Sequence, residues 1–389
     1  MQLFNTNTLL GTARRNTGLS DFGPDDFMPG LNALIDGINA NAVISEDRWG
    51  NLFDFFVRAL ENRLRFTKDL SDHPEILQQE LLPPVVILPL PRTGSTKLHR
   101  MLGASGNFQT LPFWQAYMFA RITGHADDGV VERRRRAKEF EEWVYTTVPD
   151  MLKGHPMFVD EPEEEQVLHE CTFRSARISA WFNAPIYSEW LQTQDMAPSY
   201  DYLLQQLKYL QWQFHRGARK PWLLKSPTNF GFEKLLLDNF GRELKIICPH
   251  RDPVNVVCSI SRVSEYYRAL FTDVDQGDLA QEMGQFILTM FSQAAQQHLS
   301  WRDENPCIGI LDLSYTEIDE KPMEALRSVY GFLNLELTPD IEASITRWEQ
   351  NKGRKQFARN KYSAEEFGLS DAQIHQAFAP YIERFHNFL

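Results

Sequence analysis

Cysteine is scarce in this sequence: four residues in 389 (Cys171, Cys248, Cys258 and Cys307), each alone, with no CxxC pair and no Cys/His cluster at zinc spacing. A disulfide scaffold and a structural zinc site are therefore excluded, and the residues read as free thiols of a reducing compartment. Long apolar runs are also missing. The best, Val85 to Leu90, is bounded by prolines and falls far short of the ~18 residues of a membrane helix. The first residues, Met1 to Gly18, lack a sustained apolar core with a small-residue cleavage site, so the expectation is a cytoplasmic protein. Positive charge is in deficit. With 40 Lys and Arg against 52 Asp and Glu, the net charge of -12 argues against general attraction to nucleic acid or anionic membranes, while leaving room for a local basic pocket. Repeats and low-complexity linkers are absent as well.

What is present is an ordinary globular balance, 43% hydrophobic and 24% charged, which excludes disorder as the main state. From Phe22 to about Lys68, the residues Leu31, Leu34, Ile35 and Ile38, then Leu52, Phe55, Phe56, Leu60 and Leu64, recur at three and four, the spacing of helices. We expect residues 1–80 to form a helical region packed on the core, with 81–389 as an α/β domain, the two making one structural unit. Four short apolar runs read as strands: Pro84 to Pro89, Trp222 to Leu224, Leu244 to Cys248 and Ile308 to Leu313. Continuous rather than alternating apolar strands, separated by helical stretches, predict a parallel sheet flanked by helices on both faces. Helices are expected at Phe230 to Phe240, Pro198 to Arg216, Leu279 to Trp301, Lys321 to Leu333 and Pro339 to Gln350.

Three segments on the carboxyl side of these strands carry chemistry. In Pro91-Arg92-Thr93-Gly94-Ser95-Thr96, a turn leads from a strand into a helix N-terminus, bringing backbone N–H groups, hydroxyls and a guanidinium to one point. Such a point receives anions, although a plain helix with a Ser/Thr N-cap has the same local sequence. It is not a Walker loop, since Pro89 and Ser95 stand where that motif needs glycine and lysine, which weakens a nucleotide-kinase reading. In His250-Arg251-Asp252-Pro253, Asp252 suits an N-cap and Pro253 a first helical turn, while Arg251 and Ser259 suit a second anionic group. Lys225 of Leu223-Leu224-Lys225-Ser226-Pro227 falls at the strand edge where open α/β sheets bind ligands.

The succession PRTGST, LLKSP and HRDPVNVVCS resembles the sulfotransferases that use 3′-phosphoadenosine 5′-phosphosulfate (PAPS), in particular a bacterial branch with PRTGTT, LKSP and HRDP motifs. The likeness extends to His155-Pro156 with Pro162-Glu163-Glu164, and to Tyr362-Ser363-Ala364-Glu365-Glu366-Phe367-Gly368-Leu369. It implies a sheet like that of P-loop nucleoside triphosphate hydrolases, no metal requirement, PAPS as donor and adenosine 3′,5′-bisphosphate as product. It also implies that Arg92, Thr93, Gly94, Ser95 and Thr96 hold the 5′-phosphosulfate and Arg251 and Ser259 the 3′-phosphate. Lys97, Arg100 and Gly353-Arg354-Lys355 rank as secondary sources of positive charge. Two departures, Pro89 for a glycine and Asn229 for the histidine after KSP, keep open a non-catalytic nucleotide-binding module on the same fold.

With Asn229 unable to serve as a base, the acidic run beside His155 supplies the candidates: Glu164 first, then Glu163, with His155 as orienter or alternative base. Lys225 and Arg92 are expected to stabilise transition-state charge. The acceptor is expected to be a small molecule bearing a hydroxyl or amine, such as an apolar alcohol, and the composition does not oppose a homo-oligomer. Arg133 to Arg136 read as a solvated helix face, and the aromatics Phe113, Trp114, Tyr117, Phe119, Trp181, Phe182, Tyr187 and Trp190 mostly as core, some lining an acceptor pocket.

Overall fold

The computed structural model describes residues 3–41, 44–125, 127–182, 184–217, 219–272, 276–353 and 362–389. Four short strands form its centre: β1 (Val85–Ile87), β2 (Leu223–Lys225), β3 (Lys245–His250) and β4 (Ile310–Ser314), all parallel, in the order β2-β1-β3-β4. Ile87 lies opposite both Lys225 and Ile247, and His250 opposite Ser314, so all four carboxyl ends share one edge. Because β1 is followed by β2 on one side and β3 lies on its other side, the order reverses at the β1/β3 crevice, the point where open parallel sheets bind ligands.

Both faces of the sheet are covered, as the apolar strands require. Val86, Leu88, Leu224, Ile246 and Cys248 pack into the larger core, while Val85, Ile87, Leu223, Ile247 and Leu313 face a second cluster containing Leu98, Leu102, Leu326 and Val329. This is the alternation of a pleated strand expressed as two buried faces.

The lead-in is helical: α1 (Thr6–Thr17), α2 (Met28–Asn41) and α3 (Trp49–Asp72). Their apolar stripes join the larger core, but α3 also buries Arg58 and Arg63. Arg58 donates to the Tyr117 carbonyl at 2.7 Å and pairs with Glu170, which also takes Arg177 at 2.7 Å. Arg63 donates to the carbonyls of Phe22 (2.7 Å) and Pro24 (2.6 Å). The Arg63 bonds tie the lead-in together, while the Arg58–Glu170 pair and a further bond from Arg63 Nη1 to the Cys171 carbonyl at 3.3 Å pin it to residues 165–172.

Around the sheet lie α4 (Ser95–Ala104), α5 (Pro253–Ala269) and α6 (Gln276–Glu304), and the chain closes with α7 (Asp371–Ala377) and α8 (Ala379–Phe385). The helices expected at 198–216, 279–301, 321–333 and 339–350 are found at Ala197–Phe214, Gln276–Glu304, Pro322–Phe332 and Pro339–Trp348. Among the described residues no helix is long and apolar enough to cross a membrane. Cys171, Cys248 and Cys258 are buried free thiols, whereas Cys307 is exposed.

Candidate active site

The turn after β1 is shaped by two residues in the left-handed region: Arg92 (φ 66°) and Gly94 (φ 80°). A side chain at Gly94 would meet Ile318 at 3.2 Å and Tyr315 at 3.3 Å, so both its conformation and its surroundings require glycine. A non-glycine residue such as Arg92 in that region carries roughly 1–3 kcal/mol of strain, a cost usually found where it positions a functional group. Here it turns the Arg92 guanidinium toward α5, where its Nε donates to Ser259 Oγ at 3.0 Å. Arg251, leaving the end of β3, donates from Nη1 to the Arg92 carbonyl at 2.9 Å and stacks over the Tyr315 ring at 4.1 Å. The α5 start is as expected, with Pro253 in its first turn and the Asp252 carboxylate accepting from the Val254 N–H at 2.9 Å.

Arg92, Arg251 and Ser259 thus form one connected group at the β1/β3 crevice, although more than 150 residues separate the first from the others. Among the described residues neither guanidinium is paired with a carboxylate. Burial lowers the pKa of both, and for Arg92 the nearby Arg251 charge adds to the effect. Ser95 and Thr96 open α4 beside them, at the helix end where N–H groups have no intrahelical acceptor. Thr93 differs from its neighbours: it is buried, and its hydroxyl is spent on the Leu90 carbonyl at 2.9 Å.

Behind this group lies a buried ionic network. The Lys225 ammonium, 1% exposed, pairs with Glu164 and lies 3.4 Å from Thr96 Oγ1. The second Glu164 oxygen accepts from Gln166, so both are engaged. Glu163 Oε1 accepts from the Glu164 N–H at 2.9 Å and lies 3.3 Å from His155 Nε2. Burial would raise the Glu163 pKa, but the charges of His155, Lys225 and Arg100 outweigh it and hold the carboxyl below the usual range. His155, Glu163 and Glu164 bring ligand atoms within 4.8 Å of one another, a spacing a cation would accept, and Lys225 already sets a positive charge against Glu164.

Glu165 was not singled out in the sequence, yet it explains Asn229. Its carboxylate accepts from the Lys225 N–H at 2.8 Å and from Asn229 Nδ2 at 2.5 Å, while Asn229 Oδ1 accepts from Tyr200 OH at 2.8 Å. Burial leads the upward shift of the Glu165 pKa, against the lowering effect of those two donors. Asn229 therefore sits in a buried bracket at the end of β2 and is not among the residues lining the cavity beside it.

The secondary basic residues lie elsewhere. Lys97 is buried, pairing with Glu349 at 3.0 Å and donating to the Asp319 carbonyl at 3.1 Å. Arg100 is buried and donates to the Pro156 carbonyl at 2.7 Å. Neither is the solvated helix face that spacing alone allows, and Arg354 and Lys355 fall outside the described residues. Of the arginine run, Arg134, Arg135 and Arg136 pair with surface acids, but Arg133 is fully buried, holding the Met118 and Phe119 carbonyls at 2.6 and 2.7 Å.

A cavity of about 630 Å³ opens from this edge, with Arg92, Ser95, Thr96, His155 and Glu164 among its lining residues. Elsewhere its walls mix polar side chains, Gln166, Ser175, Ser179 and Thr228 among them, with apolar ones that include Trp181, Phe230, Ile260 and one stripe of α6. Tyr187 and Trp190, by contrast, pack as core on each other at 5.8 Å.

A parallel four-stranded sheet sheathed by helices, with a non-Walker turn after its first strand, is a P-loop-like α/β fold. The chain belongs to the sulfotransferase family, whose model matches residues 83–340. Its fold is similar to the crystal structure of sulfotransferase STF9 from Mycobacterium avium (TM-score 0.84, 24% identity, covering 99% of this chain and 97% of that one). It is similar also to sulfotransferase STF1 from Mycobacterium tuberculosis H37Rv (TM-score 0.81, 22% identity, 97% and 99% covered). No curated protein matches the chain.

Proposed function

We propose that the protein transfers a sulfuryl group from PAPS to the hydroxyl of a small acceptor held in the 630 Å³ cavity, releasing adenosine 3′,5′-bisphosphate. The observation that carries this reading is the pair of adjacent guanidiniums, Arg92 and Arg251, that lack a carboxylate partner among the described residues. Half-buried cations drawn together without a countering carboxylate are unfavourable, and phosphate groups would supply the missing counter-charge. When bound, PAPS supplies an activated sulfuryl group on a phosphate leaving group. Arg92, Ser95, Thr96 and the first N–H groups of α4 hold the 5′-phosphosulfate end, while Arg251 and Ser259 hold the 3′-phosphate. The bond from sulfur to the phosphate oxygen breaks as one from sulfur to the acceptor oxygen forms. Lys225 stabilises the charge left on the phosphate side, and the acceptor proton passes to a base.

His155 is the better-supported base. It lines the cavity, and with Nε2 directed at Glu163 its Nδ1 is left to take the proton. Glu164 also lines the cavity, but Lys225 and Gln166 occupy both its oxygens. Glu163, held ionised, orients the imidazole and stabilises the imidazolium that forms.

The first test is calorimetric titration with adenosine 3′,5′-bisphosphate, using Arg251→Ala and ATP as comparisons. Tight binding that the substitution weakens by ~10-fold or more, and that ATP does not match, is the expected result, since a charged hydrogen bond contributes about 1.5–3 kcal/mol. Absence of binding to the folded protein would overturn the reading.

A further inference from the structure

The cavity specifies more about the acceptor than its size. Met283, Phe286, Ile287, Met290, Phe291 and Ala294 of α6 all line it, and their spacing of three and four makes one apolar stripe about 16 Å long at 1.5 Å per residue. The wall is elongated. Its charged lining residues are few and mostly matched: Arg177 donates to Glu170 at 2.7 Å, Arg174 lies 3.9 Å from Asp26, and Glu164 pairs with Lys225. Arg92, at the sheet edge, is the lining cation without a carboxylate partner among the described residues.

The mouth carries the second observation. Among the cavity's lining residues the exposed ones are Gln192, Phe232, Thr289, Gln293 and Gln297, none of them charged, on a chain whose net charge is -12. Phe232 is 38% exposed at this rim, an apolar ring left facing water. A nucleotide or an acidic peptide would find no charged side chain at this rim to receive it.

We infer that the acceptor is an uncharged, elongated amphiphile, a lipid-like alcohol whose single hydroxyl reaches the Arg92–His155 end while its apolar body lies along the α6 stripe. This deepens the sulfotransferase reading and rests on it. The apolar contacts made by the body bring the hydroxyl to the sulfur with few polar interactions of its own, so affinity follows buried length.

The test is transfer from labelled PAPS to a series of primary n-alkanols of increasing length, with the ω-carboxylate analogue of each. In parallel, calorimetry with adenosine 3′,5′-bisphosphate checks the donor site. KM should fall about fourfold per added methylene, the ratio equivalent to ~0.8 kcal/mol, and then level off when the stripe is covered. The ω-carboxylates should be poorer by ~10-fold or more. Met290→Trp, a substitution within the stripe and away from the donor residues, should move the levelling point to shorter chains and leave bisphosphate binding unchanged. If the bisphosphate binds but KM is flat with chain length, or the carboxylates match the alcohols, or no alkanol accepts sulfate, the amphiphile inference is overturned while the sulfotransferase reading stands. Failure of the bisphosphate to bind overturns both.

Discussion

The buried Lys225–Glu164 pair lets a structural role be separated from the proposed chemical one. Removing Lys225 leaves a carboxylate buried without its cation, which typically costs 3–5 kcal/mol, and in the proposed mechanism it also removes a preorganised donor, which typically costs ~10²-fold or more in turnover. Lys225→Met should therefore lower both melting temperature and kcat. Adding Glu164→Gln should recover most of the stability but none of the lost turnover, and a recovery of kcat would remove Lys225 from the chemistry. Glu163 gives a pH signature. Its folded pKa lies below the ordinary 4.5, so its stabilisation is complete above about pH 4.5 and fades as acid protonates the folded state. The stability gap between the wild type and Glu163→Gln, measured by urea unfolding, should close as the pH falls below about 4.5. Arg92, Arg251 and Ser259 were legible in the sequence because a strand, a turn and a helix start are punctuated locally by proline, glycine and hydroxyl residues. Glu165 was not, because its meaning lies in Asn229 and Tyr200, partners brought to it by tertiary packing. Lys97 and Arg100 read as secondary cofactor charges or a solvated face, and their partners Glu349, Asp319 and Pro156 were not legible for a related reason: helical spacing says which residues share a face, not what will cover it.

At the scale of elements, the strands were readable from β-branched runs between prolines, but their length was not. β1 spans three residues where the apolar run suggested about six, because pairing stops where the chain must turn into the site. The closing helices show a dependence that no local pattern contained. The family match ends at residue 340, yet α7 and α8 grip the end of β3 on either side of Arg251. His250 hydrogen-bonds Tyr381 OH at 2.6 Å and Asp312 at 2.8 Å, Phe385 stacks on its ring at 4.0 Å, and His375 lies 3.3 Å from Asp252. Burial opposes ionisation of Asp312, but hydrogen bonds from Arg302 and His250 hold its carboxyl well below the usual range. Phe385→Ala should cost about 3–5 kcal/mol in denaturant unfolding and, by loosening the β3 end, weaken adenosine 3′,5′-bisphosphate binding in the variant that remains folded. Loss of stability with unchanged bisphosphate affinity would show that α8 supports the fold without positioning Arg251.

For the whole molecule, the question is whether residues 1–80 are an appendage or part of one folding unit. Apolar residues of the lead-in, from Phe4 to Ile76, share a continuous core with the helices around the sheet and with Phe385 near the other end of the chain. Arg58 of α3 reaches Glu170, five residues from the bracket that holds Lys225 and Asn229. A chain beginning at residue 81 would expose the partners of Phe55, Phe56, Leu60 and Leu64 to water and leave Glu170 with Arg177 as its remaining cation partner among those described. At ~1.5–3 kcal/mol per buried large apolar side chain, losing four such contacts already rivals the 5–15 kcal/mol net stability of an ordinary domain. Residues 81–389 expressed alone should therefore fail to give a cooperative thermal transition, and should bind adenosine 3′,5′-bisphosphate only when residues 1–80 are supplied as a separate polypeptide. A truncated chain that melts cooperatively and binds on its own would make the helical lead-in a dispensable layer, and would move the determinants of the site entirely into the sheet and the helices that follow it.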